Sequence, residues 1–145
     1  MAITTAMCTS FKQELLGGVH DLDTHTIKLA LIKNSMSGTY GAATTNYSDV
    51  TGNSDESSGT NYTAGGQNLD SATIAVSSTT AHVDFADEVF SNVTTSAAGC
   101  IIYNSSASNK AICVIDFGGT VSATAGDLTI EFPAADASNA VIRIA

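Results

Sequence analysis

The side chains of this protein that could carry acid–base or nucleophilic catalysis are few. His20, His25 and His82 are its only histidines, and a hydrolase needs a nucleophile, a base and a group that orients the base. None of the three lies in a G-x-S-x-G or H-E-x-x-H frame, in which the spacing places a nucleophile or a metal ligand beside its catalytic partner. The residue types therefore predict a protein that is not an enzyme.

Neighbouring carboxylates could instead bind a metal ion. Calcium takes carboxylate oxygens arranged along a D-x-D-x-D-G loop, and no acidic pair of this chain is followed by that frame. We therefore predict solvated acidic turns, and no metal site, at the three pairs Asp21 with Asp23, Asp55 with Glu56, and Asp87 with Glu88.

Glycine pairs and aromatic residues give no sign of a cofactor or sugar site. Neither Gly17-Gly18 nor Gly118-Gly119 is followed by Lys-Ser/Thr at the spacing of a phosphate-binding loop, so we interpret both pairs as turns. A sugar-cleaving cleft is usually lined by aromatic rings, whereas this chain has no Trp and only 6% aromatic residues. We predict that the protein uses no cofactor.

The cysteines do not indicate redox or metal chemistry. Cys8, Cys100 and Cys113 are odd in number and stand among apolar residues. In a reducing compartment such residues are more often small buried hydrophobic side chains than disulfides or metal ligands. We predict that all three are buried.

Composition bounds the size and the partners of the protein. The 145 residues suffice for a single domain spanning 1–145, and 43% hydrophobic with 13% charged residues indicates a folded chain. The net charge of -9 opposes binding to nucleic acid, which attracts clustered Lys and Arg.

No apolar run approaches the roughly 18 residues of a membrane helix, and the N-terminus lacks the pattern of a signal peptide. We predict cytoplasmic synthesis, no secretion by signal peptide, and no membrane partner.

Runs of β-branched and aromatic residues predict the central strands. Gly99 to Asn104 and Lys110 to Gly118 are apolar at consecutive positions, which is typical of strands buried on both faces, and 105–109 separates them. Asp127 to Phe132 alternates with period 2, which indicates one exposed face. Further strands are predicted at Thr26 to Lys33, Leu69 to Ser77, Ala81 to Phe85, Val89 to Thr94 and Ala140 to Ile144.

These strands predict an all-β fold, an antiparallel β-sandwich of roughly seven to nine strands with jelly-roll-like connections and one N-terminal α-helix. The glycines at 65–66, 99, 118–119 and 126 are expected to lie between strands. The predicted core consists of Ile27, Leu29, Leu31, Ile74, Val76, Phe85, Ile101, Tyr103, Ile112, Val114, Phe117, Leu128, Ile130, Phe132 and Ile142.

One helix is predicted, at Thr5 to Leu16. Met7, Phe11 and Leu15 recur at helical spacing, with Thr4, Thr5 or Thr9-Ser10 as the cap, and Gly17-Gly18 is expected to end the helix. Its apolar stripe has two interpretations: it packs on the protein's own sheet, or residues 1–18 form an arm that docks into a neighbouring subunit.

A long polar excursion covers residues 34–68. It is poor in apolar residues and contains Tyr40, Tyr47 and Tyr62. A structureless segment of this length in a compact domain indicates either a function or ordering by a partner. The other interpretation is a solvated excursion in which Tyr47 or Tyr62 is anchored on the core.

Five stretches of the sequence together resemble a known family. They are MAITTAMCTSFKQELLGGVH at 1–20, GTNYTAGG at 59–66 followed by Leu69, VDFAD at 83–87, AGCIIYN at 98–104, and AGDLTIEFP at 125–133 with the ending IRIA. Over essentially its whole length the chain resembles small structural proteins encoded in tailed-bacteriophage genomes. The resemblance implies a non-enzymatic virion component, a β-sandwich of the head or the tail, with no catalytic residues to carry over.

Within that family the sequence favours a capsid decoration or cement protein over a tail or tail-fibre component, since it has no fibre-like repeat or coiled-coil heptad. A host-glycan adhesin is a weaker alternative, because Trp is absent. The expected partners are the major capsid protein, alternatively tail proteins, and copies of the chain itself. The expected contact residues are Phe11, Leu15 and Leu16 from the helix and Tyr40, Tyr47 and Tyr62 from the excursion.

Overall fold

The computed structural model describes residues 2–145, and it is mostly β. Strands hold 47% of the residues and helices 11%, so the predicted all-β fold with antiparallel sheets and a small N-terminal helix is confirmed. The elements in chain order are β1 Ala2–Ile3, β2 Ala6–Met7, α1 Thr9–Leu16, β3 Ile27–Ile32, β4 Thr39–Tyr40, α2 Ser48–Gly52, β5 Gln67–Asn68, β6 Thr73–Ser77, β7 Thr80–Asp84, β8 Glu88–Asn104, β9 Lys110–Ile130 and β10 Ile142–Ile144.

A long hairpin forms the centre of the main sheet. β8 and β9 hold 17 and 21 residues and pair antiparallel from Asn104 opposite Lys110 to Glu88 opposite Ile130. The loop 105–109 joins them, as the sequence predicts. The predicted strands at 89–94 and 127–132 are not separate strands, because they form the far ends of β8 and β9.

The other strands of this five-stranded sheet flank the hairpin in the order β2-β9-β8-β3-β5. A three-stranded sheet, β10-β7-β6, and a parallel pair, β1-β4, complete the fold. Val83 and Ile142 of the small sheet belong to the same apolar core as the main sheet, which makes the architecture sandwich-like. With sheets of five, three and two strands, jelly-roll connections are not confirmed.

Three of the glycine positions expected between strands lie within strands instead. Gly99 is in β8, whereas Gly118-Gly119 and Gly126 are in β9. The pairing register shifts beside them: Ala97 faces Val121 while Gly99 faces Asp116, so β9 bulges at 117–120. A bulge accommodates extra residues without ending a strand, and this is why the turn interpretation of Gly118-Gly119 is wrong.

The N-terminal helix is shorter than predicted because the residues before it form strands. Thr4 N donates to Tyr40 O, and Cys8 N donates to Ile112 O, so 2–8 is fastened to the sheets. Cys8 is the N-cap and makes no side-chain cap hydrogen bond; the Thr caps are therefore wrong. The predicted end is confirmed, since Gly18 has φ 73°.

Packing of the helix on the protein's own sheet is confirmed. Phe11 is fully buried in the core, and Leu15 packs against it. Residues 2–8 are tied to β4 and β9 by backbone pairing. The alternative in which 1–18 is an arm that reaches into a neighbour is therefore wrong for the described residues.

Most of the predicted core is buried, with two clear exceptions. Ile74 and Val76 on β6 are 54% and 69% exposed, because β6 is an edge strand of the small sheet and no described element covers the end of its apolar face. Phe117 and Phe132 are half-buried against the core. The remaining predicted core residues are buried.

The excursion at 34–68 is not structureless. It contains β4 and α2 and ends in β5, and it places Tyr40, Val50 and Asp55 in the interior. Tyr47 and Tyr62 are half-buried against the core, which confirms their predicted anchoring. The segment is a folded layer on the main sheet.

Candidate interaction surface

A buried carboxylate holds the first half of the excursion. Asp55 is fully buried, and its Oδ2 accepts hydrogen bonds from Tyr40 OH at 2.6 Å and Gly38 N at 2.8 Å. Its Oδ1 accepts from Ser37 N at 2.9 Å and lies 3.5 Å from Lys33 Nζ. The expectation of a solvated turn at Asp55 is therefore wrong.

These contacts decide the protonation of the pair. Burial alone would raise the pKa of Asp55, but the hydrogen bonds from Tyr40, Ser37 and Gly38 and the Lys33 ammonium lower it well below its ordinary value. Burial, and then the hydrogen bond to Asp55, raise the pKa of Tyr40 to about 12. Asp55 is therefore charged near neutral pH, where it has no proton to transfer.

The next residue fastens the second half of the excursion. Glu56 accepts hydrogen bonds from Tyr62 OH at 2.8 Å and Gly65 N at 2.7 Å, and from Tyr47 OH. Tyr47 stacks on Tyr103, with ring centroids 4.5 Å apart. Burial, and then Glu56, raise the pKa of Tyr47. Consecutive residues of an extended chain point to opposite sides, and so Asp55 and Glu56 reach two different clusters.

The histidine nearest a carboxylate has both ring nitrogens engaged. His20 Nε2 lies 3.2 Å from Glu14 Oε1, and His20 Nδ1 lies 3.1 Å from Asn104 Nδ2. The same amide lies 2.9 Å from His25 Nδ1. Because an amide N–H donates, both Nδ1 atoms accept, and His20 Nε2–H donates to Glu14. The cluster ties α1 to β8 and leaves His20 no free nitrogen for a substrate.

The third histidine lies beside a serine without the rest of a catalytic triad. His82 Nε2 is 3.3 Å from Ser77 Oγ. Among residues 2–145, His82 Nδ1 and Asp84 Oδ1 are buried without hydrogen-bond partners. A triad requires a carboxylate on Nδ1, and the described structure places none there.

The cysteines are buried and free, as predicted. Burial raises the pKa of Cys8 and of Cys100 to about 12, and that of Cys113 is raised well above its ordinary value, chiefly by burial. A thiol with a raised pKa is a poor nucleophile at neutral pH.

Two of the six expected contact residues have no exposed surface to offer. Phe11 and Tyr40 are buried within the fold, so the partner contact expected of them is not possible on the folded chain. Tyr47 and Tyr62 bind Glu56, and Leu15 packs on the core. Leu16 alone points fully outward and is 92% exposed. The structure does not bring the six residues together as one surface.

The main exposed apolar strip lies elsewhere, on the small sheet. Ile74, Val76 and Ile144 are all large, exposed and on one face, because Ile74 pairs with Val83 and Val76 with Ala81, which faces Ile144. Sequence reasoning assigned this strand to the core. The alternation of Thr73, Ala75 and Ser77 with Ile74 and Val76 indicates one polar face. No charge, proline or bulge in this strand marks it as an edge, so the local sequence gives no signal of its position.

Two open grooves adjoin apolar side chains. One of about 410 Å³ lies between α1 and the small sheet and is lined by Leu15, Leu22, Ile74 and Ile144. The other, of about 450 Å³, is lined by Phe117, Val121 and Phe132 along β9. Polar residues also line both grooves: His20, Asp21 and His82 in the first, and Glu131, Asn139 and Arg143 in the second.

The described residues show no metal-binding cluster and no helix of membrane-spanning length. Within 2–145, no group of three or more His, Cys, Asp or Glu side chains is placed to hold a metal ion. None of the helices described is long and apolar enough to cross a bilayer.

Comparison with known proteins returned no relative. No family model, no curated protein and no solved structure matches the chain.

Proposed function

We propose that the chain is a non-enzymatic structural protein of a tailed-bacteriophage virion that decorates the head by docking on the major capsid protein. The observation that carries this proposal is Leu16, which ends α1 and is 92% exposed. Leu16 is held outward on a helix that is fixed to the core, and its neighbour Leu15 lines the apolar groove beside the small sheet with Leu22, Ile74 and Ile144. Contiguous exposed apolar surface of this kind is suited to docking another protein.

The state of the ionisable groups supports a structural role. His20, Asp55 and Glu56 each form hydrogen bonds that connect different segments of the fold. The buried thiols have raised pKa values. A chain whose reactive groups serve cohesion fits a building block better than a catalyst.

The proposed mechanism is reinforcement by surface burial. A module that buries on the order of 1,000 Å² across a seam between capsid subunits adds cohesion without any reaction. The net charge of -9 would favour a basic patch on the shell and keep free subunits soluble. Binding should then weaken as the salt concentration rises.

The test replaces Leu16 with Ser or Lys and measures binding to purified undecorated heads and the temperature at which those heads release DNA. We expect at least a roughly tenfold loss of affinity, about 1.4 kcal/mol, because a hydrophobic anchor is removed from the interface. Val121→Ser is the matched control, since Val121 is also exposed but lies on β9. Deleting 1–16 would not be a usable test, since it removes Phe11 from the core.

Two results would contradict the proposal. Equal binding by wild type, Leu16→Ser and Leu16→Lys would exclude the helix end as the contact. Failure of the wild-type protein to bind heads, together with binding to tails or a copy number of a few dozen per virion, would assign it to the tail.

A further inference from the structure

The outer edge of the small sheet, strand β6, is unpaired in the described part of the chain. β6 pairs with β7 on one side only, in the sheet order β10-β7-β6. The pair runs without register shifts from Thr73 opposite Asp84 to Ser77 opposite Thr80. Natural edge strands are usually protected by charges, proline or bulges, and β6 has none of these.

The register determines which backbone groups are free. The two-residue turn at 78–79 is closed by a hydrogen bond between Ser77 and Thr80. In an antiparallel ladder hydrogen-bonded and non-bonded pairs alternate, and so Thr73, Ala75 and Ser77 bond to β7. The N–H and C=O groups of Ile74 and Val76 therefore point away from the sheet, where residues 2–145 supply no strand.

We propose that β6 is a homodimerisation site at which β6 of a second copy adds antiparallel, with Ala75 on the two-fold axis, to give one six-stranded sheet. In this arrangement Ile74 of each copy faces Val76 of the other. Both residues have outward-pointing backbone groups, so each facing pair exchanges two hydrogen bonds. The edge is thus complementary to itself, as a two-fold interface requires.

The side chains agree with this geometry. Directly opposed residues of an antiparallel pair lie on the same face. Ile74 and Val76, which are 54% and 69% exposed, would bury each other across the axis. Across the six strands, one row of side chains would then run through Ile142, Val83 and Ile74 of one copy and continue through Val76, Ala81 and Ile144 of the other. The present exposed strip would become the middle of a continuous apolar face.

Charge is what favours a second copy over another partner. No Asp, Glu, Lys or Arg lies between Asp70 and Asp84, although the chain carries a net charge of -9. Two such acidic molecules repel each other least where the surfaces that meet carry no charge. A basic partner would find no carboxylate on β6 itself to pair with. The inference rests on this edge alone and does not depend on the proposed virion role.

The contact is small. A five-residue strand pair is at the low end of interface sizes, and we expect a dissociation constant between about 10 and 300 μM. Sedimentation equilibrium on the full chain, from about 5 μM to about 1 mM, should therefore show a monomer–dimer equilibrium.

Val76→Lys should abolish the dimer, because it buries two ammonium groups beside the axis. The side chain is mostly exposed in the monomer, so the fold should tolerate the change. Val121→Lys, on the bulged edge of β9, is the control and should dimerise like wild type. A wild-type protein that stays monomeric throughout, or a Val76→Lys variant that still dimerises, would overturn the proposal.

A cross-linking variant decides the matter even if Val76→Lys fails to fold. In the proposed dimer the two Ala75 residues form a non-hydrogen-bonded pair, with Cα atoms about 4.5 Å apart, which is within reach of a disulfide. When oxidised glutathione is added as the oxidant, Ala75→Cys should therefore form a disulfide between the two copies. The two introduced thiols give up two electrons and two protons, and these reduce one molecule of oxidised glutathione to two glutathione thiols. Thr124→Cys, on β9, is the control. Equal cross-linking of both variants, or none at Ala75→Cys, would contradict the dimer.

Discussion

One buried carboxylate, Asp55, holds the first half of the polar excursion. Asp55 binds the loop at Ser37 and Gly38 as well as the Tyr40 hydroxyl. Nothing in the sequence distinguishes it from the exposed acids, since burial of a charge depends on donors that come from residues far along the chain. Its environment could be predicted only with the fold in hand.

Asp55→Asn should destabilise the protein by about 3 kcal/mol, because the anion is replaced by an amide whose NH₂ group faces donors in a buried site. Urea unfolding followed by circular dichroism measures the difference. Asp23→Asn is the matched control, since Asp23 is exposed. Equal stability of the two variants would show that Asp55 is not an anchor.

The same substitution has a pH signature. The pKa of Asp55 in the fold is below its ordinary value of 3.8, and so the unfolded chain takes up this proton first as the pH falls. The stability that Asp55 contributes is present above about pH 4 and is lost progressively below it. The difference between wild type and Asp55→Asn should therefore shrink on going from about pH 6 to about pH 3. A constant difference would contradict this assignment.

At the scale of elements, local sequence patterns predicted where the strands lie more accurately than where each strand ends. The apolar runs at 99–104 and 110–118 lie in β8 and β9, yet glycines taken as strand ends lie inside them. Glycine marks a bulge as readily as a turn. Which of the two occurs at Gly126 is decided by pairing with Val93, and a local pattern carries no information about that partner.

The excursion shows the same limit. Its low content of apolar residues indicated either a structureless segment with a function or a partner, or a solvated excursion anchored by Tyr47 or Tyr62. In the fold, tyrosine hydroxyls and backbone amides supply the contacts that apolar side chains usually make. Tyr62 OH, for example, donates to Glu56 and accepts from Leu31 N at 2.9 Å. Polar packing of this kind leaves no periodic signal in a sequence.

Gly66→Ala should destabilise the fold by about 4 kcal/mol or more, the range of severe backbone clashes. Gly66 has φ 75°, and a Cβ at this position would lie 1.8 Å from Leu29 O, in the middle of β3. Gly52→Ala is the control, because a Cβ there meets nothing within 4 Å. It should change stability by less than about 1 kcal/mol. Thermal unfolding compares the two, and similar losses would contradict the proposed close approach.

At the scale of the whole molecule, the sequence identified the all-β class, an N-terminal helix and most of the core. It left open whether the helix packs on its own sheet or docks into a neighbouring subunit. It did not identify the outer surface. Ile74 and Val76 have the composition of a core strand and the position of an edge. Whether an apolar face is covered depends on how the sheets stack. For this reason the local sequence pattern did not reveal the exposed apolar strip on the small sheet.

The three buried thiols allow global opening to be measured. Cys8, Cys100 and Cys113 lie in the core before α1, in β8 and in β9. A thiol reagent at about pH 8 should leave the native protein unlabelled and should react only as fast as the fold opens. Thr124→Cys adds an exposed thiol as the control. Rapid labelling of wild type would contradict the packing of these residues.

The pairing of the first strands with β9 also has a consequence for biosynthesis. Asp116 N donates to Thr5 Oγ1 across 111 residues, and β2 pairs with Cys113 and Val114. While the chain is still attached to the ribosome, β1 can already pair with β4 at Thr39 and Tyr40, whereas β2 has no strand to join until most of the polypeptide has emerged. Contacts so distant in sequence are slow to form. We therefore expect β2 to join its sheet only late in translation, after β1 has been able to pair with β4.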